Sequence, residues 1–116
     1  MYTAYVVVTL VTIGLNAFEA VAAFTRAKFM LANADRVGVP RSWLVPLGAL
    51  KGAGAAGLLI GLLGVEPVGI AAATGLVLFY IGAVIAHIRG RALASIPFPA
   101  FFLAIAIASL ALILNT

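Results

Sequence analysis

The chain has no cysteine, and its ionisable side chains are few: three acids, seven lysines and arginines, and one histidine in 116 residues. The missing thiols exclude disulfides, thiolate-ligated zinc or iron–sulfur sites, and dithiol chemistry. Any redox role therefore needs a bound cofactor or a partner. Charged residues make up 9% of the chain, against about 25% in an ordinary soluble domain. That is too little charge to cover a water-facing surface. No Walker motif, histidine–carboxylate metal motif or nucleophile elbow is present, so no metal site is expected. The net charge of +4 does not point to nucleic acid, because the bases lie in two loops rather than in a stripe interleaved with exposed aromatics.

Apolar side chains account for 66% of the residues. Their runs predict four transmembrane helices of about 20 residues each, near residues 2–24, 44–63, 67–87 and 97–114. The expected fold is an all-α polytopic membrane four-helix bundle forming one domain over residues 1–116, with the lipid bilayer as its surroundings. The first span is read as retained rather than as a signal peptide, since no base precedes it and Arg26 and Lys28 follow it. Residues 25–42 mix Arg26, Lys28, Asp35, Arg36 and Arg41 with Phe29, Met30, Leu31 and Val37, a pattern for a short interfacial helix ended by Gly38 and Pro40. Trp43 suits the membrane–water interface, and Pro46 falls in a first helical turn, where proline is tolerated.

Orientation follows from the bases. The loop between spans one and two carries four and that between three and four carries two, while the 2–3 link and both termini have none. The positive-inside rule places both basic loops in the cytoplasm, and Glu66 and both termini outside a bacterial inner (cytoplasmic) membrane. In the second span small residues recur in two rows, Gly48, Gly52, Ala56 and Ala49, Ala53, Gly57, Gly61, which predicts a central helix in close contact with its neighbours. Gly75 and Gly82 suggest a similar seam in the third span. The run Gly52–Ala53–Gly54–Ala55–Ala56–Gly57 spells a dinucleotide fingerprint, but that motif requires a preceding strand, and here it lies inside a continuous apolar span.

Lys51 lies in the middle of the second apolar run. An ammonium there costs about 2.5–3.5 kcal/mol on insertion scales, so it should face protein or water and have a partner. In the first span Thr9, Thr12, Asn16 and Glu19, at spacings of three, four and three, form one polar stripe that must face inward. At a rise of ~1.5 Å per residue, Glu19 and Lys51 sit at matching depth, on the order of 10 Å inside the cytoplasmic face. The first two spans should pack antiparallel, so a Glu19–Lys51 pair neutralises both charges. His87 ends the third span on the same side, and Tyr80 shares its face. Two readings stay open: a structural ion pair with Asn16 as an interhelical hydrogen bond and His87 and Arg89 as interfacial anchors, or a polar pocket lined by Asn16, Glu19, Lys51, Tyr80 and His87. The Thr9 and Thr12 hydroxyls are expected to bond backbone carbonyls.

The segments GVPRSWLVPLGALKGAGAAGLLIGL and GIAAATGLVLFYIGAVIAHIRGR, followed by a proline-led last helix, resemble the DoxX-like family of small four-helix bacterial membrane proteins. The resemblance includes the Leu-Gly-x-Leu-Lys pattern around Lys51 and the Gly-Ala-x-x-Ala-His-x-Arg pattern ending in His87 and Arg89. It implies a loose association with quinone-linked redox enzymes. Three functions remain open: a pocket for a lipophilic, quinone- or isoprenoid-like molecule; an assembly subunit of a membrane redox enzyme; and a proton-coupled transporter. In the first, Glu19, Lys51 and His87 would exchange protons or stabilise charge, and Asn16, Tyr80 and Arg89 would orient the ligand. No cofactor is identified, and a lone His87 cannot supply two axial haem ligands in one subunit. The smooth apolar fourth span is expected to meet lipid or a second copy in a homodimer.

The cysteine-free chain makes the topology directly testable. A single cysteine at position 90 should resist an impermeant thiol reagent in intact cells, and one at position 66 should react. Labelling of position 90 from outside, with position 66 protected, would invert the assignment.

Overall fold

The computed structural model describes residues 2–115, apart from the Ser95 side chain. Four long helices form the bundle: α1 (Tyr2–Phe24), α3 (Leu44–Leu62), α4 (Glu66–Arg89) and α5 (Pro97–Leu114). The short helix α2 (Lys28–Val37) follows α1, and single 3-10 turns at Arg41–Trp43 and Leu93–Ser95 lead into α3 and α5. All four long helices are long and apolar enough to cross a bilayer. In hydrocarbon the backbone can be satisfied only within such helices or in a closed barrel. The helix bounds fall within two residues of those expected from the apolar runs: α3 stops at Leu62, and α4 runs from Glu66 to Arg89.

The helix ends share one device. Arg26, Gly38, Gly64 and Arg91 each take a left-handed backbone (φ 53°, 80°, 120° and 56°). The residue after each returns an N–H to a carbonyl five positions back: Ala27 to Ala22, Val39 to Ala34, Val65 to Ile60, and Ala92 to His87. These closures satisfy carbonyls that a helix end leaves orphaned. Arginine is unusual at such a position, yet it takes the first left-handed site after α1 and the one after α4. There it keeps a cation in the loop, at some conformational cost. Pro67 and Pro97 start α4 and α5, where the missing N–H has no helical partner to lose.

Around the bundle, α1 packs on α3 and α5, and α4 packs on the same two helices. Helices α1 and α4 therefore face each other across the diagonal. Close approach comes from glycine, and α3 meets a neighbour on each side, as its small residues predicted. A Cβ on Gly48 would lie 2.7 Å from Ala23 of α1, and one on Gly57 would lie 2.6 Å from Ala72 of α4. Gly61 meets backbone: its Cβ would lie 2.6 Å from Gly69 Cα.

The predicted rows need correction in detail. Ala49, Ala53 and Ala56 are exposed, and Gly52 would make only an ordinary 3.6 Å contact. Gly75 and Gly82 meet nothing within 4 Å, so the α4 seam runs instead through Gly69 and Ala72. Spacing shows which residues share a face but not which face turns to a neighbour. The buried stripe of α4 is Gly69, Ala73, Leu76, Tyr80 and His87, and its Ala73, Leu76 and Tyr80 join Leu58 and Ala106 in the central apolar cluster.

The helix α2 lies across the end of the bundle that carries the basic loops, burying Met30, Ala34 and Val37 and exposing Lys28, Asp35 and Arg36. Arg41 holds Asp35 through two hydrogen bonds of 3.0 and 2.6 Å. These bonds keep the exposed Asp35 carboxyl below the usual carboxylate range. Gly90 packs so close that a Cβ there would fall 2.5 Å from the Val37 carbonyl oxygen.

Backbone contact at one glycine and open space at another set up a paired test. Gly61→Ala should lower the stability measured by thermal melting in detergent by ~1–3 kcal/mol, because neither backbone can yield. Gly52→Ala should be nearly neutral. Equal melting of the two variants would contradict the packing of α3 on α4.

Candidate functional site

The inward stripe of α1 forms a ladder of buried polar groups. Thr9, Thr12 and Asn16 are fully buried. The Thr12 hydroxyl donates to the Val8 carbonyl at 2.8 Å. Its single proton is then used, so Ser109 of α5 must donate in the 2.9 Å contact between the two hydroxyls. Asn16 donates to the Thr12 carbonyl at 2.9 Å and accepts from the Tyr80 hydroxyl at 2.5 Å across the bundle diagonal. Thr12 thus makes the expected backbone bond, but Thr9 does not: its hydroxyl oxygen is buried without a hydrogen-bond partner. Stripe spacing places the Thr9 side chain inside, whereas bonding back to the preceding turn also requires one particular χ1 rotamer.

One turn further along, Lys51 Nζ donates to Glu19 Oε1 at 2.8 Å. Their side chains are 12% and 18% exposed, so the pair is largely stripped of water. The ammonium also lies 5.4 Å from the centre of the Phe79 ring and 5.7 Å from that of Tyr80, within range of cation–π attraction. Tyr80 in turn stacks on Phe102 of α5, with ring centres 5.3 Å apart. Asn16 fixes the tilt of Tyr80, and Tyr80 forms part of the wall behind the lysine.

His87 is buried in the last turns of α4, with Nδ1 2.8 Å from the Ala83 carbonyl oxygen. A carbonyl can only accept, so Nδ1 carries the proton, and in the neutral ring Nε2 is left as an acceptor. Among the described residues no protein group bonds Nε2.

These groups line two neighbouring lobes of open space, about 300 and 400 Å³. Glu19, Lys51, His87, Phe79 and Asn33 line both lobes. The helix α2 roofs them through Met30 and Asn33. Of the sequence-predicted residues, Glu19, Lys51 and His87 come together around the cavity, and Tyr80 presents its ring to one lobe. Asn16 lines neither lobe and acts from behind Tyr80. Arg89 is exposed at the helix end and also lines neither lobe. Sequence reasoning missed Phe79 and Asn33. The signal for Asn33 was present: Met30 and Val37, one helical face of α2, bracket it at spacings of three and four.

A buried ammonium–carboxylate pair beside an unpartnered imidazole nitrogen can donate to an oxygen, accept from a hydroxyl, and pass a proton between them. Among the described residues no group of three metal-ligating side chains occurs.

The family model described as the DoxX-like family matches residues 7–109, a stretch that includes every group in the ladder and around the cavity. No curated protein and no solved structure gives a significant match.

If the pair is one energetic unit, its variants should be coupled. Lys51→Met or Glu19→Gln alone should each destabilise the fold by about 3–5 kcal/mol, and the double variant should recover much of that loss. Independent, additive losses in a double-mutant cycle of thermal or denaturant unfolding would show that the two groups do not act together.

Proposed function

The chain belongs to the DoxX-like family, and from that premise and the geometry of its interior we propose that this multi-pass membrane protein binds a lipophilic molecule. The ligand is quinone- or isoprenoid-like, and the protein serves a redox or biosynthetic system in the cytoplasmic membrane, with both termini outside. One observation carries the reading: the Glu19–Lys51 pair opens on a cavity instead of being enclosed by packed side chains. A purely structural pair has no use for that space, and such a pair seldom adds stability over apolar residues of similar volume.

In this role Lys51 donates to a ligand oxygen and stabilises negative charge developing there. Glu19 or His87 exchanges the proton, with His87 Nε2 as the acceptor not already held by protein. Asn16 is a positioning residue that holds Tyr80, and Arg89 acts at the membrane interface rather than on the ligand. Transport is less favoured, because a proton-coupled carrier needs a carboxylate free to exchange, and Glu19 is held by Lys51 at 2.8 Å.

Mass spectrometry of small molecules copurifying with the protein tests the proposal. A lipophile other than bulk phospholipid should accompany the parent protein and be lost from a folded Glu19→Gln, Lys51→Met double variant. Its absence from the parent, or its retention by the double variant, would remove the proposed site.

A further inference from the structure

Outside the Glu19–Lys51 pair, charge gathers at one end of the bundle, where Arg26, Lys28, Arg36, Arg41, Arg89 and Arg91 stand against the single acid Asp35. Asp35 is held by Arg41, and Glu66 begins α4 at the opposite end. The basic end therefore keeps a positive excess. One backbone contact concentrates part of it. Gly90, flanked by Arg89 and Arg91, packs on Val37, the neighbour of Arg36: a Cβ at Gly90 would lie 2.5 Å from the Val37 carbonyl oxygen and 3.1 Å from its Cα. With ~3.8 Å between consecutive Cα atoms, the three arginine backbones fall within about 12 Å of one another. All three residues are exposed. Lys28 stands apart from them, since at a rise of ~1.5 Å per residue it lies about 12 Å from Arg36 along α2.

We propose that Arg36, Arg89 and Arg91 form a binding site for the phosphate of an anionic phospholipid. Guanidiniums suit that group, because each planar fork can pair with two phosphate oxygens, whereas an ammonium acts as a point charge. The lipid source follows from the surroundings. The cluster stands where the apolar span α4 ends, at the level where a transmembrane helix meets headgroups. Beside it Ile88, Leu93 and Phe98 are 53%, 62% and 69% exposed, and they offer acyl chains an apolar surface next to the cations. Arg36 and Phe98 border the same lobe of open space, which places the α2 arginine against the start of α5. Arg91 holds φ 56°, a conformation that glycine adopts at lower cost. Backbone geometry alone does not call for arginine there. The proposal does not rest on the lipophile-binding reading, which concerns Glu19, Lys51 and His87.

Native mass spectrometry tests it, with parent protein in mild detergent titrated with phosphatidylglycerol or with phosphatidylcholine of identical chains. One phosphatidylglycerol should be retained per chain, at several-fold higher affinity than phosphatidylcholine. A large excess of glycerol 3-phosphate, the same phosphate without chains, should not displace it. Arg36→Gln, Arg89→Gln and Arg91→Gly should each weaken phosphatidylglycerol binding by about fivefold, the worth of one base at a membrane surface, and leave phosphatidylcholine unchanged. Lys28→Gln removes the same charge from the other end of α2 and should have little effect. Arg91→Gly should also melt no lower than the parent, because glycine relieves the left-handed strain.

Equal weakening by Lys28→Gln and the three arginine variants would reduce the effect to a diffuse field and overturn the site. Equal affinity for the two lipids would overturn it too. Displacement by glycerol 3-phosphate would refute the lipid assignment. If binding falls only in variants that also melt lower, the arginines hold the loops together rather than a headgroup, and the proposal fails.

Discussion

An ammonium two turns inside a bilayer has to be neutralised where it stands, and this requirement organises the bundle. Lys51 meets Glu19 at 2.8 Å, and for that contact α1 and α3 must be antiparallel neighbours with a fixed depth and rotation. Glycine on α3 makes the approach short enough: Gly48 comes against Ala23, one turn from Glu19. Once these two helices are locked, α4 has to supply the far wall. It does so with Phe79 and Tyr80, whose rings lie within cation–π distance of the lysine.

The rest of the polar interior supports that wall. Ser109, Thr12, Asn16 and Tyr80 are linked through one side-chain or backbone hydrogen bond after another, tying α5 to α1 and α1 to α4. In a lipid environment apolar contacts alone do not discriminate strongly between protein and solvent, so interhelical hydrogen bonds and close small-residue packing carry more of the specificity. The orphaned Thr9 hydroxyl at the far end marks where this ladder stops. At the near end the cavity is closed by α2 rather than by a fifth span. An amphipathic helix suits that position, because it can cover the pair with Met30 and face water and headgroups with Lys28 and Arg36.

The basic loops carry both charge and helix-closing geometry. Arg26 and Arg91 sit in left-handed conformations that glycine would adopt more easily. A glycine there would close the helix at lower strain but forfeit a cation at the membrane face. The chain uses glycine where geometry is tightest, at Gly90 beneath the Val37 carbonyl and at Gly61 against Gly69.

Span positions, the interfacial helix and the Glu19–Lys51 pairing were legible in the residues alone. Each follows from a one-dimensional constraint: hydrocarbon thickness sets helix length, helical period sets which groups share a face, and the cost of buried charge demands a partner at equal depth. Other features depend on rotation and on contacts between distant segments, which spacing does not encode. Gly75 and Gly82 share a face as their spacing requires, but the tertiary structure turned that face away from the seam. Asn16 lies on the inner stripe as expected, yet only packing decided that it would stand behind Tyr80 and hold it rather than line the cavity. The sequence by itself determined a four-span bundle with a neutralised charge in its interior, because burial energetics act on each helix separately. The tertiary structure decided that the charge opens on two neighbouring cavities roofed by α2, because a cavity is the space left by all five helices at once.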